Sequence, residues 1–374
     1  MRVLILSCNT GEGHNAAGRA MVEQIEREGS QAVMLDMMSL AGERTSKIVG
    51  GTYVKIAKDF PRIFGGVYRL GMMISSDKRK SPVYYANALM AKRLKNYLER
   101  ERFDAILTPH LYPAETLTHL KRQGIDLPPV VAIGTDYTCI PFWEETECDR
   151  YVIPHRDLAD EYVKRGVPRE KIAPLGIPVS GSFSISGNRE EERRRRKLPE
   201  SAPLYLVMSG SMGFGKLQVF VHLLARQLTD GEQIIVICGN NKKLRSVLQR
   251  QFLDNPSVHI LGFTSHVAEY MDLSDVIFTK PGGLTSTEAA VKKIPIIHTR
   301  PIPGCETENL RFFEKRGMSF ASSSMSEQIA MGKKLAEDAG LKEKMRKAQG
   351  EQMNPDAARQ IYELLLSLTQ CGRL

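Results

Sequence analysis

Short apolar segments alternate with helical segments along this chain, and the alternation starts afresh near residue 204. A strand, a helix and a further strand in succession build a parallel sheet with helices on both faces. The 374 residues fit two such domains of roughly 150 to 200 residues better than a single core. The sequence therefore predicts two doubly wound α/β domains. The predicted strands are Val3–Leu6, Ala32–Leu35, Phe103–Leu107, Val130–Gly134, Arg150–Ile153, Leu204–Met208, Ile234–Cys238, Val258–Leu261, Asp275–Phe278 and Pro295–His298.

The restart follows a stretch with the composition of a linker. Residues 180–202 contain a Ser-Gly-Ser run and a charged run at Arg189–Lys197, which is most simply a solvated helix. We predict an N-terminal domain at residues 1–179, this linker at 180–202, a C-terminal domain at 203–352 and a final helix at 353–374. Two such domains facing a central cleft usually hold two substrates, which favours a group-transfer reaction.

The strongest ligand-binding pattern is a glycine loop between a strand and a helix at Thr279–Ala290. Adjacent glycines let a backbone approach a ligand closely, and hydroxyl groups beside free helix-start amides suit phosphate oxygens. A glutamate one turn into the helix can accept hydrogen bonds from a ribose. The alternative is an ordinary capped helix start. The predicted phosphate and ribose ligands are Gly282, Gly283, Thr285, Ser286 and Glu288, with Gly210, Ser211 and Gly213 from a second glycine loop.

The first domain opens with another glycine loop, Gly11–Ala16. Its glycine spacing, with Asp36 about 20 residues on, imitates a dinucleotide-binding fingerprint, so a nicotinamide-dependent oxidoreductase is an alternative. The loop is longer than in that fingerprint, because residues 7–10 separate the strand from the first glycine. Polar residues also follow the later strands, and parallel strands end at one edge of a sheet. We therefore expect one crevice to contain His14, His110, Glu115 and Asp136.

The positive charge of the chain is concentrated in one segment. Residues 41–100 hold 13 Lys or Arg against 4 Asp or Glu, a difference equal to the net charge of +9 of the whole chain. Basic side chains among aromatic and Met residues suit an anionic membrane surface, at about 1 kcal/mol for each Lys or Arg. Helices with solvated charges are the alternative, and the lack of a nucleic-acid module argues against nucleic acid. The predicted membrane contacts include Tyr68, Arg69, Lys78, Arg79 and Lys80.

Other features narrow the class of protein. No apolar run reaches the roughly 20 residues of a membrane span, and the N-terminal apolar run is too short for a signal peptide. Six cysteines without Cys-x-x-Cys spacing indicate reduced thiols rather than a zinc site or disulfides. No Asp-x-Asp occurs, so a metal-bridged diphosphate is not expected. We predict a cytoplasmic protein, peripherally associated with the inner face of the cell membrane, without a metal or cofactor.

Several motifs occur in a fixed order: Gly11–His14, Thr135–Asp136 with Trp143, Gly176–Val179, Gly262–Phe263, Lys280–Thr285 with Glu288–Ala289, and Pro301–Asn309. In this order they resemble the monogalactosyldiacylglycerol synthase and processive diacylglycerol glucosyltransferase family of GT-B glycosyltransferases, over nearly the whole chain. The resemblance implies an N-terminal acceptor domain that touches the membrane and a C-terminal domain that binds a UDP-sugar. It implies inverting transfer of a hexose to diacylglycerol or a related lipid.

The resemblance also gives roles to residues of the first domain. Inverting transfer needs a base near the acceptor hydroxyl, and His14 at a helix start should stay neutral because the helix dipole disfavours its cation. Asp136 would orient His14 or hold the acceptor, although a capping aspartate is the alternative. The acceptor side would also include Gly13 and Trp143.

On the donor side, the resemblance implies that Phe263 borders the uracil and that Glu306 and Asn309 bind sugar hydroxyls. As isolated residues, both of the latter would serve as helix caps. The sequence departs from the family in having Cys305 where Gln is usual and Ile140 where His is usual, which leaves the sugar and the acceptor open. The expected partners are UDP-glucose or UDP-galactose, a diacylglycerol-type lipid and an anionic membrane surface. A UDP-sugar epimerase and a non-enzymatic nucleotide-sugar sensor are alternatives with a similar donor site.

Overall fold

The computed structural model describes residues 1–9, 11–42, 70, 71, 73, 74, 80–208, 217–229 and 231–371. The chain divides into two compact units. The first comprises Met1–Gly181, Pro303–Cys305 and Asn354–Leu374, and the second comprises Ser182–Ile302 and Glu306–Met353. None of the helices in the described residues is long and apolar enough to cross a membrane.

The first unit contains a parallel sheet whose six described strands follow the order β2-β1-β3-β4-β5-β6. Short 3-10 turns at Met37–Ala41, Trp143–Glu145, Arg156–Leu158 and Arg169–Lys171 connect some of its elements. Its strands and helices are β1 (Arg2–Ser7), α1 (Glu12–Arg27), β2 (Gln31–Asp36), α2 (Pro82–Ala88), α3 (Ala91–Arg100), β3 (Ala105–Thr108), α4 (Leu111–Arg122), β4 (Val130–Ile133), β5 (Arg150–Val152), α5 (Ala159–Lys164), β6 (Ile172–Ala173) and the last helix of the chain, Ala357–Cys371.

The core of the first unit forms on both faces of this sheet. Every side chain of Val3–Leu6 is fully buried, as in parallel strands that helices cover on both sides. Met21 and Ile25 of α1 pack into the core, and the helix Ala357–Cys371 adds Ile361. The C-terminal helix therefore completes the hydrophobic core of the N-terminal sheet.

The second unit repeats this architecture, with its six described strands in the order β12-β11-β10-β7-β8-β9 and every neighbouring pair parallel. Its strands and helices are α6 (Arg189–Arg195), β7 (Leu204–Met208), α7 (Leu217–Ala225), β8 (Gln233–Ile237), α8 (Lys242–Gln251), β9 (Val258–Leu261), α9 (Val267–Leu273), β10 (Val276–Thr279), α10 (Gly283–Val291), β11 (Ile296–His298), α11 (Cys305–Lys315), β12 (Phe320–Ala321), α12 (Met325–Glu337) and α13 (Ala339–Gln352); the helix Ala357–Cys371 of the first unit is α14.

The structure confirms every strand predicted from the sequence and adds β6 and β12. The prediction of a fully solvated helix at Arg189–Lys197 is wrong for Arg193. This side chain is 1% exposed and donates hydrogen bonds to the Leu273 carbonyl group and the Asp275 carboxylate. Its guanidinium group ties α6 to the segment that joins α9 to β10 within the second unit.

The order of the strands marks one ligand-binding position in each sheet. In the first sheet the chain moves from β1 outward to β2 and then returns to β3 on the other side of β1. In the second sheet it moves outward from β7 to β9 and returns to β10. Open α/β sheets bind ligands beside the carboxyl ends of the strands where the order reverses. The loops after β1 and β3 are therefore the candidate ligand-binding position of the first unit, and the loop after β10 is that of the second unit.

Candidate active site

His14 lies at the reversal point of the first sheet, and its hydrogen bonds define its tautomer. It is in the first turn of α1, and its Nδ1 atom lies 2.9 Å from the carbonyl oxygen of Pro109, after β3. A carbonyl oxygen can only accept a hydrogen bond, so Nδ1 carries the proton. Thr135 Oγ1 lies 3.0 Å from the same nitrogen. The neutral ring therefore keeps a lone pair on Nε2.

The surroundings of His14 keep the ring neutral. Burial lowers its pKa below the ordinary value, and the nearby carboxylate of Asp136 opposes part of that shift. A neutral imidazole with a free lone pair can act as a general base near pH 7. The sequence-based prediction of a neutral His14 agrees with this direction, although burial rather than the helix dipole is its main cause.

Asp136 and His14 line one small pocket of about 10 Å³. This volume is about that needed for one water molecule, and hence for a single hydroxyl group. Gly13 precedes His14 in the first turn of α1. The pocket is lined by His14, Leu111, Gly134, Thr135, Asp136, Thr138, Ile140, Trp143 and Tyr162.

His110 meets His14, as expected from its place after β3. The two rings are 4.6 Å apart between centroids and meet edge to face at 70°. His110 Nδ1 accepts a hydrogen bond from the backbone N–H of Tyr112 at 3.1 Å, so it caps α4. Burial, and then the proximity of His14, lower the pKa of His110 well below its usual value. This second ring therefore stays neutral beside the first.

Glu115 does not lie with His14 and His110, so the prediction that it shares their crevice is wrong. Its fully buried side chain accepts a hydrogen bond from Asn87 of α2, and burial raises its pKa to about 8. Because it lies more than one turn into α4, it contacts the neighbouring helix instead of the loops at the sheet edge.

Trp143 lines the His14 pocket but is only 3% exposed. Its ring packs edge to face against Tyr151, 6.4 Å away. A buried indole cannot insert into a lipid surface, so its place in the pocket fits acceptor contact but not membrane contact.

The predicted membrane residues are described only in part. Tyr68, Arg69, Lys78 and Arg79 lie outside the described residues. Lys80 donates a hydrogen bond to the carbonyl group of Glu145, lies 5.3 Å from the Tyr84 ring centroid, and has its pKa lowered by burial. Its ammonium group is therefore directed into the protein.

The glycine loop of the second unit leads directly from β10 into α10. Gly282 is the N-cap of α10, and Gly283 is its first residue. Amide groups of the first helical turn have no acceptor within the helix, which suits them to an anion. Thr285 and Glu288 are half-buried and lie three residues apart, so they share one face of α10.

The structure corrects the prediction that Ser286 is a phosphate ligand. Its side chain is fully buried, and its Oγ atom lies 3.0 Å from Nε2 of His298, which is also fully buried on β11. Ser286 therefore holds α10 against the sheet and does not face a ligand. Thr287 is buried too, and its hydroxyl donates to the Gly283 carbonyl group at 2.7 Å.

Glu306 and Asn309 are both directed towards the loop before α10. Glu306 forms an ion pair with Lys280 and accepts the backbone N–H of Ile302 at 2.8 Å. Asn309 is fully buried and donates to the Pro281 carbonyl group at 3.1 Å. Both side chains fix the loop, a role that the sequence pattern did not show.

Phe263, predicted to border a uracil, is 68% exposed after β9. The preceding residue, Gly262, has little space for a side chain, because a Cβ atom there would lie 3.0 Å from Nη1 of Arg245. Gly210, Ser211 and Gly213 lie outside the described residues. Across the part of the chain that the structure describes, no group of His, Cys, Asp and Glu side chains is arranged to hold a metal ion.

Comparisons with known proteins match both units of the chain. The family model for monogalactosyldiacylglycerol (MGDG) synthase matches residues 14–179, and the model for the glycosyltransferase family 28 C-terminal domain matches residues 204–360. The processive diacylglycerol beta-glucosyltransferase of Staphylococcus saprophyticus is 30% identical over 84% of this chain and 80% of that protein. The proteins of the same name from Staphylococcus epidermidis and Bacillus cereus are 29% and 28% identical, over 88% and 98% of this chain and 83% and 93% of their own lengths.

Solved structures share the fold at low sequence identity. MurG of Acinetobacter baumannii has a TM-score of 0.62 at 16% identity and covers 98% of this chain and 99% of its own. Spinosyn rhamnosyltransferase SpnG, in complex with thymidine diphosphate, scores 0.63 at 13% identity, over 97% and 100%. The UDP-GlcNAc 2-epimerase of Neisseria meningitidis, bound to UDP-GlcNAc, scores 0.63 at 16% identity, over 98% and 100%.

Two Rossmann-like domains, each with candidate ligand residues where its strand order reverses, give the chain the GT-B fold. The matched family models and relatives show that it is a glycosyltransferase of this fold. The chain belongs to the monogalactosyldiacylglycerol synthase and processive diacylglycerol glucosyltransferase family.

Proposed function

We propose that this protein transfers a hexose from UDP-glucose or UDP-galactose to the hydroxyl group of diacylglycerol or a related membrane lipid, with inversion at the anomeric carbon. The observation that carries the proposal is the His14 ring, whose Nδ1 proton is held by the Pro109 carbonyl group and whose Nε2 lone pair is left to accept a proton. The relatives named processive diacylglycerol beta-glucosyltransferase support the lipid acceptor.

The reaction forms one bond and breaks one bond at the anomeric carbon. The lipid hydroxyl oxygen bonds to that carbon while the bond from the carbon to the β-phosphate oxygen breaks. The hydroxyl proton passes to His14 Nε2, and UDP leaves with the electron pair. Asp136 favours the imidazolium that results, because its carboxylate raises the pKa of His14.

The second unit would hold the UDP-sugar at the start of α10. The amide groups of its first turn, the half-buried Thr285 hydroxyl and the glycine loop after β7 would bind the diphosphate. Glu288 would accept hydrogen bonds from the ribose, and the exposed Phe263 would border the uracil. A related fold that binds thymidine diphosphate supports a nucleotide at such a site.

The acceptor lipid would be reached by peripheral association with the inner face of the cell membrane. Residues 41–100 carry the excess of positive charge. The described part of this segment also exposes large apolar side chains. Such side chains stabilise membrane association when they insert into the lipid surface. These side chains are Leu70, Met73, Ile74, Tyr85 and Leu89.

A transfer assay with the purified protein tests this function. Labelled UDP-glucose and labelled UDP-galactose are each incubated with vesicles that contain diacylglycerol, and we expect a labelled glycolipid of inverted anomeric configuration from one donor. No labelled lipid from either donor would refute the proposal. The fold is shared with a UDP-GlcNAc 2-epimerase, so a parallel reaction without lipid is needed. Conversion of the UDP-sugar there would identify an epimerase instead.

A further inference from the structure

A buried ion pair lies beside the glycine loop that leads into α10. Lys280 Nζ contacts Glu306 Oε1, and the two side chains are only 15% and 8% exposed. The second carboxylate oxygen of Glu306 accepts the backbone N–H of Ile302 at 2.8 Å. Glu306 is thus fixed to the segment before α11 while it holds the ammonium group of the segment after β10.

The ammonium group of Lys280 is close to the start of α10. A Cβ atom on Gly282, the N-cap of this helix, would lie 3.9 Å from Lys280 Nζ and 4.0 Å from its Cε atom. Asn309 holds the intervening residue through its hydrogen bond to the Pro281 carbonyl group. The ammonium group of Lys280, paired with Glu306, is therefore held close to the amide groups of the first turn of α10.

Stability alone gives little reason for such a pair. Removing two charges from water costs free energy that their attraction often does not repay, so a buried ion pair is weak support for a fold. A negatively charged ligand gives a better reason for an ammonium group at this position. A helix start contributes about half of a positive charge, whereas a departing diphosphate gains a full negative charge when its bond to the sugar breaks.

We propose that Lys280 is a further catalytic residue, whose ammonium group stabilises the negative charge that develops on the β-phosphate of the leaving UDP. Glu306 is then a positioning residue that holds the ammonium group in place. This inference rests on the proposed UDP-sugar donor. It changes the role of Glu306 from binding sugar hydroxyls to orienting a cation.

The test compares ligands that differ in phosphate content. The full-length protein and the variants Lys280→Met, Lys280→Arg and Glu306→Gln are titrated by calorimetry with UDP-glucose, UDP-galactose, UDP, UMP and uridine. We expect Lys280→Met to bind UDP roughly tenfold more weakly or worse, since a hydrogen bond between charged groups is lost, and to bind uridine as the parental protein does. Lys280→Arg should recover most of the UDP affinity. Glu306→Gln should lose UDP affinity selectively, and transfer by the Met variant should fall as well.

A second buried lysine provides the control for folding. Lys292 lies at the other end of α10 and pairs with Asp272 at 2.6 Å, with side chains 3% and 16% exposed. Lys292→Met removes a comparable pair in the same unit and should leave the ratio of UDP to uridine affinity unchanged.

The outcomes separate this inference from the proposed function. If Lys280→Met binds UDP as tightly as the parental protein, the role of Lys280 is refuted while the proposed function stands. If Glu306→Gln weakens binding only of the UDP-sugar and not of UDP, Glu306 contacts the sugar and does not position Lys280. If the parental protein itself binds no UDP, the proposed donor is wrong, and this inference fails with it.

Discussion

The Pro109 carbonyl oxygen determines which nitrogen of His14 can accept a proton. His14→Ala removes that nitrogen, and we expect transfer to fall about 10²- to 10⁴-fold, the usual contribution of a general base. UDP binding should be unchanged, because the proposed nucleotide ligands belong to the second unit. Steady-state transfer rates and calorimetric titration with UDP check both parts. Transfer by this variant at the parental rate would show that another group is the base.

The carboxylate of Asp136 raises the pKa of His14 against the lowering effect of burial. Asp136→Asn removes this charge, so the pKa of His14 should fall further below its usual value. Because the neutral ring is the form proposed to accept the proton, the acid limb of the profile of kcat/KM against pH should move to lower pH. An acid limb that stays in place would show that the charge of Asp136 does not act on the base.

Thr285 and Ser286 are neighbours with similar hydroxyl groups but different surroundings. Ser286→Ala removes the hydrogen-bond partner of the buried His298 Nε2, which should cost about 1–3 kcal/mol of unfolding free energy. It should leave UDP affinity unchanged. Thr285→Ala should instead weaken UDP binding, with little loss of stability. Thermal denaturation and UDP titration of both variants give the comparison, and reversed results would exchange the two roles.

This pair of residues also shows what the sequence could establish. The pattern from Gly282 to Glu288 predicts a helix start with hydroxyl groups, and the structure has that helix. A shift of one residue turns a helical side chain by about 100°, so the sequence did not reveal which hydroxyl faces the sheet. The partner that decides this, His298, is on β11, and its contact with α10 depends on tertiary packing.

At the scale of strands and helices, too, the sequence predicts what depends on neighbouring residues and misses what depends on distant ones. Continuous apolar runs such as Val3–Leu6 are sufficient to predict the central strands, because parallel strands are buried on both faces. The edge strands β6 and β12 have two residues each, too few to show any periodicity. The burial of Arg193 in α6 was also missed, because its partners Leu273 and Asp275 lie far along the chain.

Helices α2 and α4 enclose a carboxyl group whose protonation should affect stability. Burial raises the pKa of Glu115 to about 8 despite a hydrogen bond from Asn87. Between its unfolded pKa and about 8 the folded state holds the extra proton, so stability should fall as pH rises through this interval, by up to about 1.4 kcal/mol per pH unit.

The variant Glu115→Gln mimics the protonated group and should remove this part of the pH dependence. We expect its melting temperature to exceed that of the parental protein more at pH 8 than at pH 5. Glu99→Gln on α3, where the side chain is 61% exposed, is the matched control. Equal pH dependence in the Glu115 variant and the parental protein would contradict the prediction.

At the scale of the whole molecule, the excess positive charge and several exposed apolar side chains occur in the same segment, residues 41–100. The excess of Lys and Arg over Asp and Glu within residues 41–100 accounts for the net charge of +9. Tyr85 and Leu89 in the same stretch are 60% and 76% exposed. Charge draws a protein to an anionic surface over a distance that salt shortens, whereas apolar side chains act on contact. Membrane association should therefore have one component that depends on salt and one that does not.

Co-sedimentation with anionic vesicles separates these components. Binding should fall between 0.1 M and 1 M salt, because the Debye length shortens from about 10 Å to about 3 Å. Leu89→Glu should weaken the remaining binding by roughly tenfold or more, since it removes an apolar contact of about 2 kcal/mol. Leu253→Glu, at a leucine of the second unit that is 80% exposed, should bind as the parental protein does. Absent or salt-independent binding to anionic vesicles would indicate that the basic segment consists of solvated helices, and an equal loss in both leucine variants would locate the lipid contact outside it.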